Sequence, residues 1–256
     1  MEHRIFRKRV FPTLLLKNRT FVKSKQFKKY TYIGNPLNTI QIFNEIGVDE
    51  ISILDINAYK SGIDFDYIED LASEAFVPIS YGGGIESVED VGRIIDCGVE
   101  KIILSTSALQ NPSLIEKIAA KIGSSSTIFC VNFKRNQFLS GYKIYNHRSK
   151  KSQKKFSNET LKHIVDCGVG EIILQSVSND GCWNNFPIED LESNGIFNEI
   201  NVPLIFLGGI SDIHEINKLL LMKSCSAVSI SSLAVFQRKN QGVVISFPDN
   251  KEIVSG

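Results

Sequence analysis

The sequence predicts a single α/β domain spanning residues 1–256, folded as a (β/α)8 barrel with an internal half-barrel repeat. Two observations carry this prediction. Eight short apolar segments alternate with amphipathic segments, and several motifs of the first half recur in the second. A chain of 256 residues is the usual size for one such barrel and is long enough to bury a sizeable core.

The eight apolar segments are the predicted strands. They are rich in Ile, Val, Leu and Phe, and most lack strict polar alternation, which is typical of parallel strands buried on both faces. In chain order they are residues 10–15, 50–55, 77–81, 101–105, 127–132, 171–176, 203–207 and 227–230. The predicted helices between them are residues 37–46, 88–97, 112–122, 159–167 and 213–222. Eight alternating units favour a closed barrel.

The internal repeat relates the third and fourth strands to the seventh and eighth. Val77-Pro78-Ile79 followed by Gly83-Gly84-Ile85 recurs, about 125 residues later, as Val202-Pro203-Leu204 followed by Gly208-Gly209-Ile210. The segment 103–108 likewise has a counterpart in 229–234. Several matches in register favour two equivalent half-barrels.

Composition excludes several classes of protein. A formal net charge of +1 argues against a general nucleic-acid binder, and no apolar run reaches the ~20 residues of a membrane span. The charged N-terminal nine residues lack the apolar core of a signal peptide. Five widely spaced cysteines without a CxxC pair predict neither disulfides nor a zinc site. We therefore expect a cytoplasmic protein without a metal or other cofactor.

Two lysine-rich segments, residues 23–29 and 148–155, are interpreted as solvated basic loops. The alternative is that they form lids over an anionic ligand, because long loops after barrel strands often close over a substrate. The four histidines lie in no catalytic motif, and we expect them on the surface or on helices.

Two candidate phosphate sites follow the predicted strands, one in each half. Glycines let backbone N–H groups approach a phosphate, and neighbouring hydroxyls add further donors. The first site combines Gly83 and Gly84 with Ser105 and Thr106, and the second combines Gly208 and Gly209 with Ser231 and Ser232. Each Gly-Gly pair could alternatively serve only as a tight turn.

With these residues in place, the chain resembles the cyclase subunit of imidazole glycerol phosphate synthase over nearly its whole length. The resemblance implies that ammonia from a glutaminase enters at the strand starts, crosses the barrel and reacts above it with a bisphosphorylated ribulosyl nucleotide. The motifs that carry it are Ile53-Leu54-Asp55-Ile56, Tyr81-Gly82-Gly83-Gly84-Ile85, Asn111-Pro112-Ser113-Leu114-Ile115, Lys134-Arg135, Gly170-Glu171-Ile172-Ile173-Leu174, Asp180-Gly181 and Gly208-Gly209.

The resemblance also implies two catalytic aspartates, at the ends of the first and fifth strands. The matching positions here are Leu15 and Asn132. Neither side chain titrates in the relevant pH range, so neither can act as general acid or base. Asp55 and Asp180 remain as candidate replacements. After Asp180-Gly181 the chain departs from the family, and Trp183 is either a packing residue or an aromatic wall for a different ligand.

At the strand starts the family has a ring of charged residues at the ammonia entrance. The matching positions are Arg9, Glu50, Lys101 and Glu171, and each has the charge that the family has. The ring serves either as this entrance or only to stabilise the bottom of the barrel.

These features lead to three hypotheses. In the first, the chain no longer cyclises but binds a class I glutaminase at its strand-start face and passes ammonia to a sugar amidotransferase. The resemblance suggests that partner, because divergent copies of the family are associated with surface-polysaccharide loci and acetamidino sugars. In the second, it is a cyclase of histidine biosynthesis that uses other groups. In the third, it is a non-catalytic binding module for a bisphosphorylated metabolite.

Overall fold

In the computed structural model, the described residues are 8–136, 141–239, 241–249 and 251–254. The strands of this part of the chain are β1 (Arg9–Lys17), β2 (Thr20–Lys25), β3 (Lys29–Gly34), β4 (Ile51–Asp55), β5 (Ile79–Gly82), β6 (Lys101–Leu104), β7 (Thr127–Arg135), β8 (Tyr142–Asn146), β9 (Lys151–Phe156), β10 (Glu171–Ser176), β11 (Leu204–Leu207) and β12 (Ala227–Ile230). The helices are α1 (Pro36–Ile46), α2 (Ala58–Ser61), α3 (Phe65–Glu74), α4 (Val88–Asp96), α5 (Thr106–Gln110), α6 (Ser113–Ile122), α7 (Asn158–Asp166), α8 (Ile188–Ser193), α9 (Ile213–Leu220) and α10 (Ser232–Val235).

Eight parallel strands form a closed barrel, which confirms the predicted fold class. The order is β1, β4, β5, β6, β7, β10, β11 and β12, and β12 pairs back with β1. Each predicted strand corresponds to one of these eight, with ends shifted by at most three residues. The five predicted helices also form, as α1, α4, α6, α7 and α9.

The barrel has two layers of core. Inward-facing side chains from several strands meet on the barrel axis, including Phe11, Ile128 and Ile205. A larger apolar cluster fills the space between the strands and the outer helices. Helix starts follow local signals: Ser87 accepts a hydrogen bond from the backbone N–H of Asp90, and the Asp90 carboxylate accepts one from Ser87 in return.

Two antiparallel hairpins extend the barrel where the sequence predicted loops. The first hairpin, β2 and β3, continues β1, and the second, β8 and β9, continues β7. The loop interpretation of segments 23–29 and 148–155 was therefore wrong for most of their residues. The interpretation rested on composition, and a lysine-rich strand with one exposed face has the same composition as a solvated loop.

The two halves carry matching additions, in agreement with the internal repeat. Each hairpin follows the first strand of its half-barrel, and the short helices α5 and α10 follow the last. Both Gly-Gly turns have positive φ, with values of 136° and 71° at Gly83 and Gly84 and of 101° and 98° at Gly208 and Gly209.

All five cysteines are free, and Cys130, Cys167 and Cys225 are buried. None of the helices in the described ranges combines the length and apolarity needed to cross a membrane.

Candidate functional site

A cavity of about 120 Å³ opens at the carboxyl ends of the barrel strands, over the first half-barrel. Small-molecule sites usually enclose roughly 300–1,000 Å³. In this arrangement of the two hairpins, which both line the cavity, its volume is small for a bisphosphorylated nucleotide. The lining residues discussed below are Leu15, Phe27, Tyr30, Asp55, Tyr59, Gly83, Gly84, Ser105, Thr106, Cys130, Asn132, His147, Arg148 and Gln175.

The first candidate phosphate site lies in the wall of this cavity. A Cβ atom on Gly83 would stand 2.3 Å from the carbonyl oxygen of Asp55, so the turn requires glycine. Ser105 and Thr106 follow β6 at the same level and line the same cavity. The Ser105 hydroxyl donates to the carbonyl oxygen of Cys130 at 2.8 Å. The sequence-predicted grouping of these four residues is thus seen in space.

Leu15 and Asn132, at which the resemblance implies catalytic aspartates, both line the cavity. Each is 7% exposed. The Asn132 side-chain amide donates to the Ser105 hydroxyl at 3.2 Å. Burial raises the pKa of the neighbouring Cys130 thiol to about 12, so this thiol stays protonated and is a poor nucleophile. This part of the lining therefore carries no group that exchanges a proton near neutral pH.

Asp55 is the one carboxylate among the described residues that line the cavity. Its Oδ1 accepts hydrogen bonds from the backbone N–H groups of Asn57 at 2.9 Å and Ala58 at 3.0 Å. Burial raises the pKa of Asp55, and these two hydrogen bonds offset only part of the effect. Asp55 is consequently the best-placed acid or base in the cavity.

The raised pKa of Asp55 predicts that Asp55→Asn increases the free energy of unfolding at neutral pH. The folded state binds the Asp55 proton more tightly than the unfolded state does, so stability falls as the pH rises from the ordinary pKa of 3.8 through the folded value. The advantage of the variant should therefore be largest above the folded pKa and should vanish below pH 3.8. Urea unfolding between pH 3 and 8 measures it.

Asp64→Asn is the control with the opposite sign. Hydrogen bonds from Arg19 lower the pKa of Asp64. Its ionised form therefore adds stability above the ordinary pKa, which is lost as the pH falls through the folded value. This variant should be slightly less stable than the wild type at neutral pH, because the pair with Arg19 is exposed. A loss of stability in Asp55→Asn at pH 8 would contradict the burial argument.

Aromatic side chains from both hairpins meet at the mouth of the cavity. The ring of Phe27 packs edge-on against Tyr145, with centroids 5.9 Å apart, and against His147 at 5.8 Å. His147 also packs against Tyr59 at 5.9 Å. Phe27 has a φ of 59°, which is an outlier for a bulky residue. The contacts across the mouth hold this conformation.

His147 and Arg148 lie at the mouth of the cavity, and both are half-buried. Burial lowers the pKa of His147, and the nearby cations Lys150 and Arg148 lower it further. His147 is therefore neutral at pH 7. Arg148 donates to Glu86 Oε1 at 2.5 Å, and the Cζ atom of its guanidinium lies 5.6 Å from the centroid of the Tyr59 ring. No sequence motif indicated this cluster, apart from the basic segment 148–155.

The second candidate phosphate site is separate from the cavity and is covered. The Asn185 backbone N–H donates to the carbonyl oxygen of Gly209 at 3.0 Å, and the Asn179 side chain donates to the carbonyl oxygen of Asn185 at 2.6 Å. Gly208, Gly209, Ser231 and Ser232 are absent from the described lining of the cavity, and Ser232 is buried. The two predicted sites therefore do not share one open cavity.

Asp180 lies in a buried ion pair between the first hairpin and the loop after β10. Lys23 Nζ is 2.5 Å from Asp180 Oδ1, and the Ser24 hydroxyl donates to Asp180 Oδ2 at 2.6 Å. The side chains of Lys23 and Asp180 are only 4% and 2% exposed. Both carboxylate oxygens are thus engaged, and Asp180 does not line the cavity. Trp183, three residues on, borders a separate surface depression with Asp212.

At the opposite end of the barrel, Arg9, Glu50, Lys101 and Glu171 form a four-charge ring. Arg9 donates to Glu50 Oε2 at 2.5 Å and to Glu171 Oε2 at 2.8 Å. Lys101 donates to Glu171 Oε1 at 2.8 Å, and its Nζ is 3.7 Å from Glu50 Oε2. Each cation therefore contacts both anions, and the formal charges cancel.

The two glutamates of the four-charge ring differ in their pKa. Burial raises the pKa of Glu50 more than Arg9 and Lys101 lower it. Burial also acts on Glu171, but hydrogen bonds from Lys101 and Arg9 outweigh it and lower the pKa. Glu50 Oε1 is buried without a hydrogen-bond partner in the described structure.

Small polar side chains lie between the four-charge ring and the cavity. Strand alternation places Glu50, Ser52 and Leu54 on the same inward face, and Ser80 is the register partner of Ser52 on β5. The hydroxyls of Ser52 and Ser80 are both buried without a described hydrogen-bond partner. Together with Glu50 Oε1, they leave unused hydrogen-bonding capacity along the inside of the barrel.

Comparison with known proteins places this chain in a family. The family model described as "Histidine biosynthesis protein" matches residues 9–240. A protein of Pseudomonas aeruginosa, provisionally named imidazole glycerol phosphate synthase subunit hisF2, is 38% identical over 98% of this chain and 99% of its own length. Its provisionally named counterpart hisF3 of Vibrio vulnificus is 37% identical, over 98% of this chain and 96% of that protein.

A relative with an unqualified name is the imidazole glycerol phosphate synthase subunit HisF of Pyrococcus furiosus. It is 34% identical over 79% of this chain and 80% of its own length. The match to the family model and these identities cover most of the chain. The chain is a member of the histidine biosynthesis protein family and is related within it to the HisF subunits of imidazole glycerol phosphate synthase.

Proposed function

We propose that this chain is a barrel subunit that no longer closes the imidazole ring but still conducts ammonia. In the proposal the complex is cytoplasmic. A class I glutaminase docks at the strand-start face of the barrel, and ammonia passes through the barrel to the opposite end. The acceptor is a sugar amidotransferase, which converts an acetamido group to an acetamidino group in surface-polysaccharide biosynthesis.

The observation that carries the proposal is the contrast between the two ends of the barrel. At the strand starts the four-charge ring is complete, and each cation is within 4 Å of both anions. At the opposite end Leu15 and Asn132 line the cavity, at the two positions where the resemblance implies acid–base residues. A polar entrance without a proton-transfer pair supports transfer of ammonia rather than cyclisation.

The ring geometry supports an entrance with a narrow polar opening. The charges of the four-charge ring cancel, so the ring does not hold a neutral ammonia molecule electrostatically. Its carboxylate oxygens can accept hydrogen bonds from ammonia. Beyond the ring, the unpaired hydroxyls of Ser52 and Ser80 offer further hydrogen-bond partners. The proposed path then reaches the cavity between Leu54 and Gly82, which both line it.

Binding of a glutaminase is the first test. Mixing this chain with the purified class I glutaminase of the same organism should form a complex and raise the rate of glutamine hydrolysis at least tenfold, measured as glutamate released. The barrel alone and the glutaminase alone are the controls. A glutaminase that neither binds this chain nor responds to it would refute the proposal.

Loss of cyclisation is the second test. With the ribulosyl bisphosphate nucleotide and ammonium salt, the wild-type chain should form no imidazole glycerol phosphate. The second candidate function, a cyclase that uses Asp55, is favoured by the position of that carboxylate in the cavity. It predicts turnover in the wild type that Asp55→Asn abolishes. Appearance of turnover only in Leu15→Asp/Asn132→Asp would instead assign the missing step to those two positions.

A further inference from the structure

The positive charge of this chain is concentrated in its two hairpins. Residues 17–34 and 133–157 contain 14 of the 29 lysines and arginines and neither aspartate nor glutamate. The rest of the chain has 15 lysines and arginines against 28 aspartates and glutamates, a formal charge of −13. The net charge of +1 therefore conceals a strongly basic region on an otherwise acidic protein.

The fold brings both basic segments to the same end of the barrel. The first hairpin contacts the second through Phe27, Tyr145 and His147, and both hairpins line the cavity. Seven exposed lysines on the hairpins form no ion pair within the described residues. They are Lys25, Lys28, Lys29, Lys150, Lys151, Lys154 and Lys155. We call this set the hairpin lysines.

The hairpin lysines surround an aromatic, partly open surface. β3 pairs only with β2, so its outer edge is free within the described structure. Tyr32 on this edge is 61% exposed, and Tyr30 beside the mouth is 38% exposed. Tyrosines are enriched in protein interfaces, and a free strand edge offers backbone hydrogen bonds to a partner. Neighbouring like charges repel one another, so their grouping carries an energetic cost unless an acidic surface covers them.

We propose that the hairpin lysines dock an acidic surface of the ammonia-accepting enzyme over the mouth of the cavity. The inference rests on the proposed function and adds the position and the charge of the second interface. A partner seated on both hairpins would cover the opening where ammonia leaves the barrel. The glutaminase and the acceptor would then occupy opposite ends of one barrel.

Charge distribution favours a protein over a nucleic acid as the occupant. Nucleic-acid-binding domains usually have a strongly basic overall balance, because a duplex runs beyond a single small patch. Here the rest of the chain, outside the two hairpins, is acidic in sum. Such a separation of charge attracts and orients a compact acidic surface and repels an extended polyanion.

Charge reversal on the hairpins tests the inference. The variants are Lys28→Glu/Lys29→Glu and Lys154→Glu/Lys155→Glu, and the control is Lys117→Glu/Lys121→Glu on the exposed side of α6. All three change the charge equally. The probe is the purified sugar amidotransferase of the same organism, bound in biolayer interferometry at several salt concentrations. We expect each hairpin variant to lower the association rate about tenfold or more at low salt, and the control to leave it unchanged.

Glutaminase stimulation is measured for every variant, and it should equal the wild-type value. This result shows that the barrel is folded and separates the two proposals. Association rates that are the same in the hairpin variants and the control would overturn the inference, as would an amidotransferase that does not bind the wild type. Tighter binding of a 20-base-pair DNA duplex than of the amidotransferase would also overturn it. A glutaminase that ignores the wild type would instead refute the proposed function.

Discussion

Replacing Lys23 with methionine is expected to lower the free energy of unfolding by about 3–5 kcal/mol. The substitution removes the cation from a pair in which both side chains are almost fully buried, and it leaves the Asp180 carboxylate with the Ser24 hydroxyl as its remaining side-chain partner. An uncompensated buried charge is costly, because the interior solvates it poorly. Urea unfolding measures the effect, and the single tryptophan, Trp183, lies three residues from Asp180 and provides a local fluorescence signal.

The double variant Lys23→Met/Asp180→Leu distinguishes this charge effect from loss of packing. Removing both charges should recover most of the lost stability, because well-packed apolar residues often replace a buried ion pair at little cost. Lys218→Met breaks an exposed pair with Glu189 and should change stability by less than about 1 kcal/mol. A Lys23→Met variant as stable as Lys218→Met would show that the buried pair does not hold the first hairpin in place.

Glu171→Gln is expected to lower the free energy of unfolding at pH 7 by about 3 kcal/mol, whereas Glu50→Gln should change it by less than about 1 kcal/mol. The difference follows from the opposite pKa directions. The lowered pKa of Glu171 means that its ionised form adds stability above the ordinary value of 4.5, which is lost as the pH falls. The raised pKa of Glu50 means that its ionisation costs stability as the pH rises.

Unfolding curves of both variants between pH 3 and 8 measure this asymmetry. The penalty for Glu171→Gln should stay constant well above pH 4.5 and should shrink as the pH falls from 4.5 toward the lowered folded pKa, because the unfolded chain binds the proton first. Equal losses for the two variants at pH 7 would contradict the asymmetric ring. We also expect Glu171→Gln to weaken the response of the glutaminase more than Glu50→Gln, because Glu171 accepts hydrogen bonds from both cations.

Much of the fold was accessible from the sequence because buried parallel strands leave continuous apolar runs. The runs for β4 and β10, for example, were recognised within one residue of their observed ends. The hairpins were missed for a different reason. Lys23 is buried by an ion pair with Asp180, a residue 157 positions away, and no local pattern of charges indicates such a partner. A usable signal did exist in β8, where Tyr142, Ile144 and Asn146 alternate with more exposed residues.

Some parts of the candidate site could also be predicted from the sequence, and others could not. The Gly83-Gly84 turn was predictable because glycine readily adopts the positive φ that such a turn needs, and both residues have a positive φ. The covering of the Gly208-Gly209 turn could not be predicted, because it depends on how the loop at Asn185 packs on Gly209. The mouth residues Phe27 and His147 were also missed, since they meet only after two hairpins from different half-barrels come together. The four-charge ring was predicted from the family resemblance and not from any local pattern.

Transfer of nitrogen through the barrel is the most direct test of ammonia conduction. The complex of this chain, the glutaminase and the amidotransferase receives glutamine labelled with 15N in the amide, in the presence of an equal concentration of unlabelled ammonium. We expect mass spectrometry to find mainly 15N in the new amidino group. Ser52→Phe, which fills the inner face of the barrel above Glu50, should lower the label to the bulk ratio. A bulk ratio in the wild-type complex would contradict conduction through the barrel.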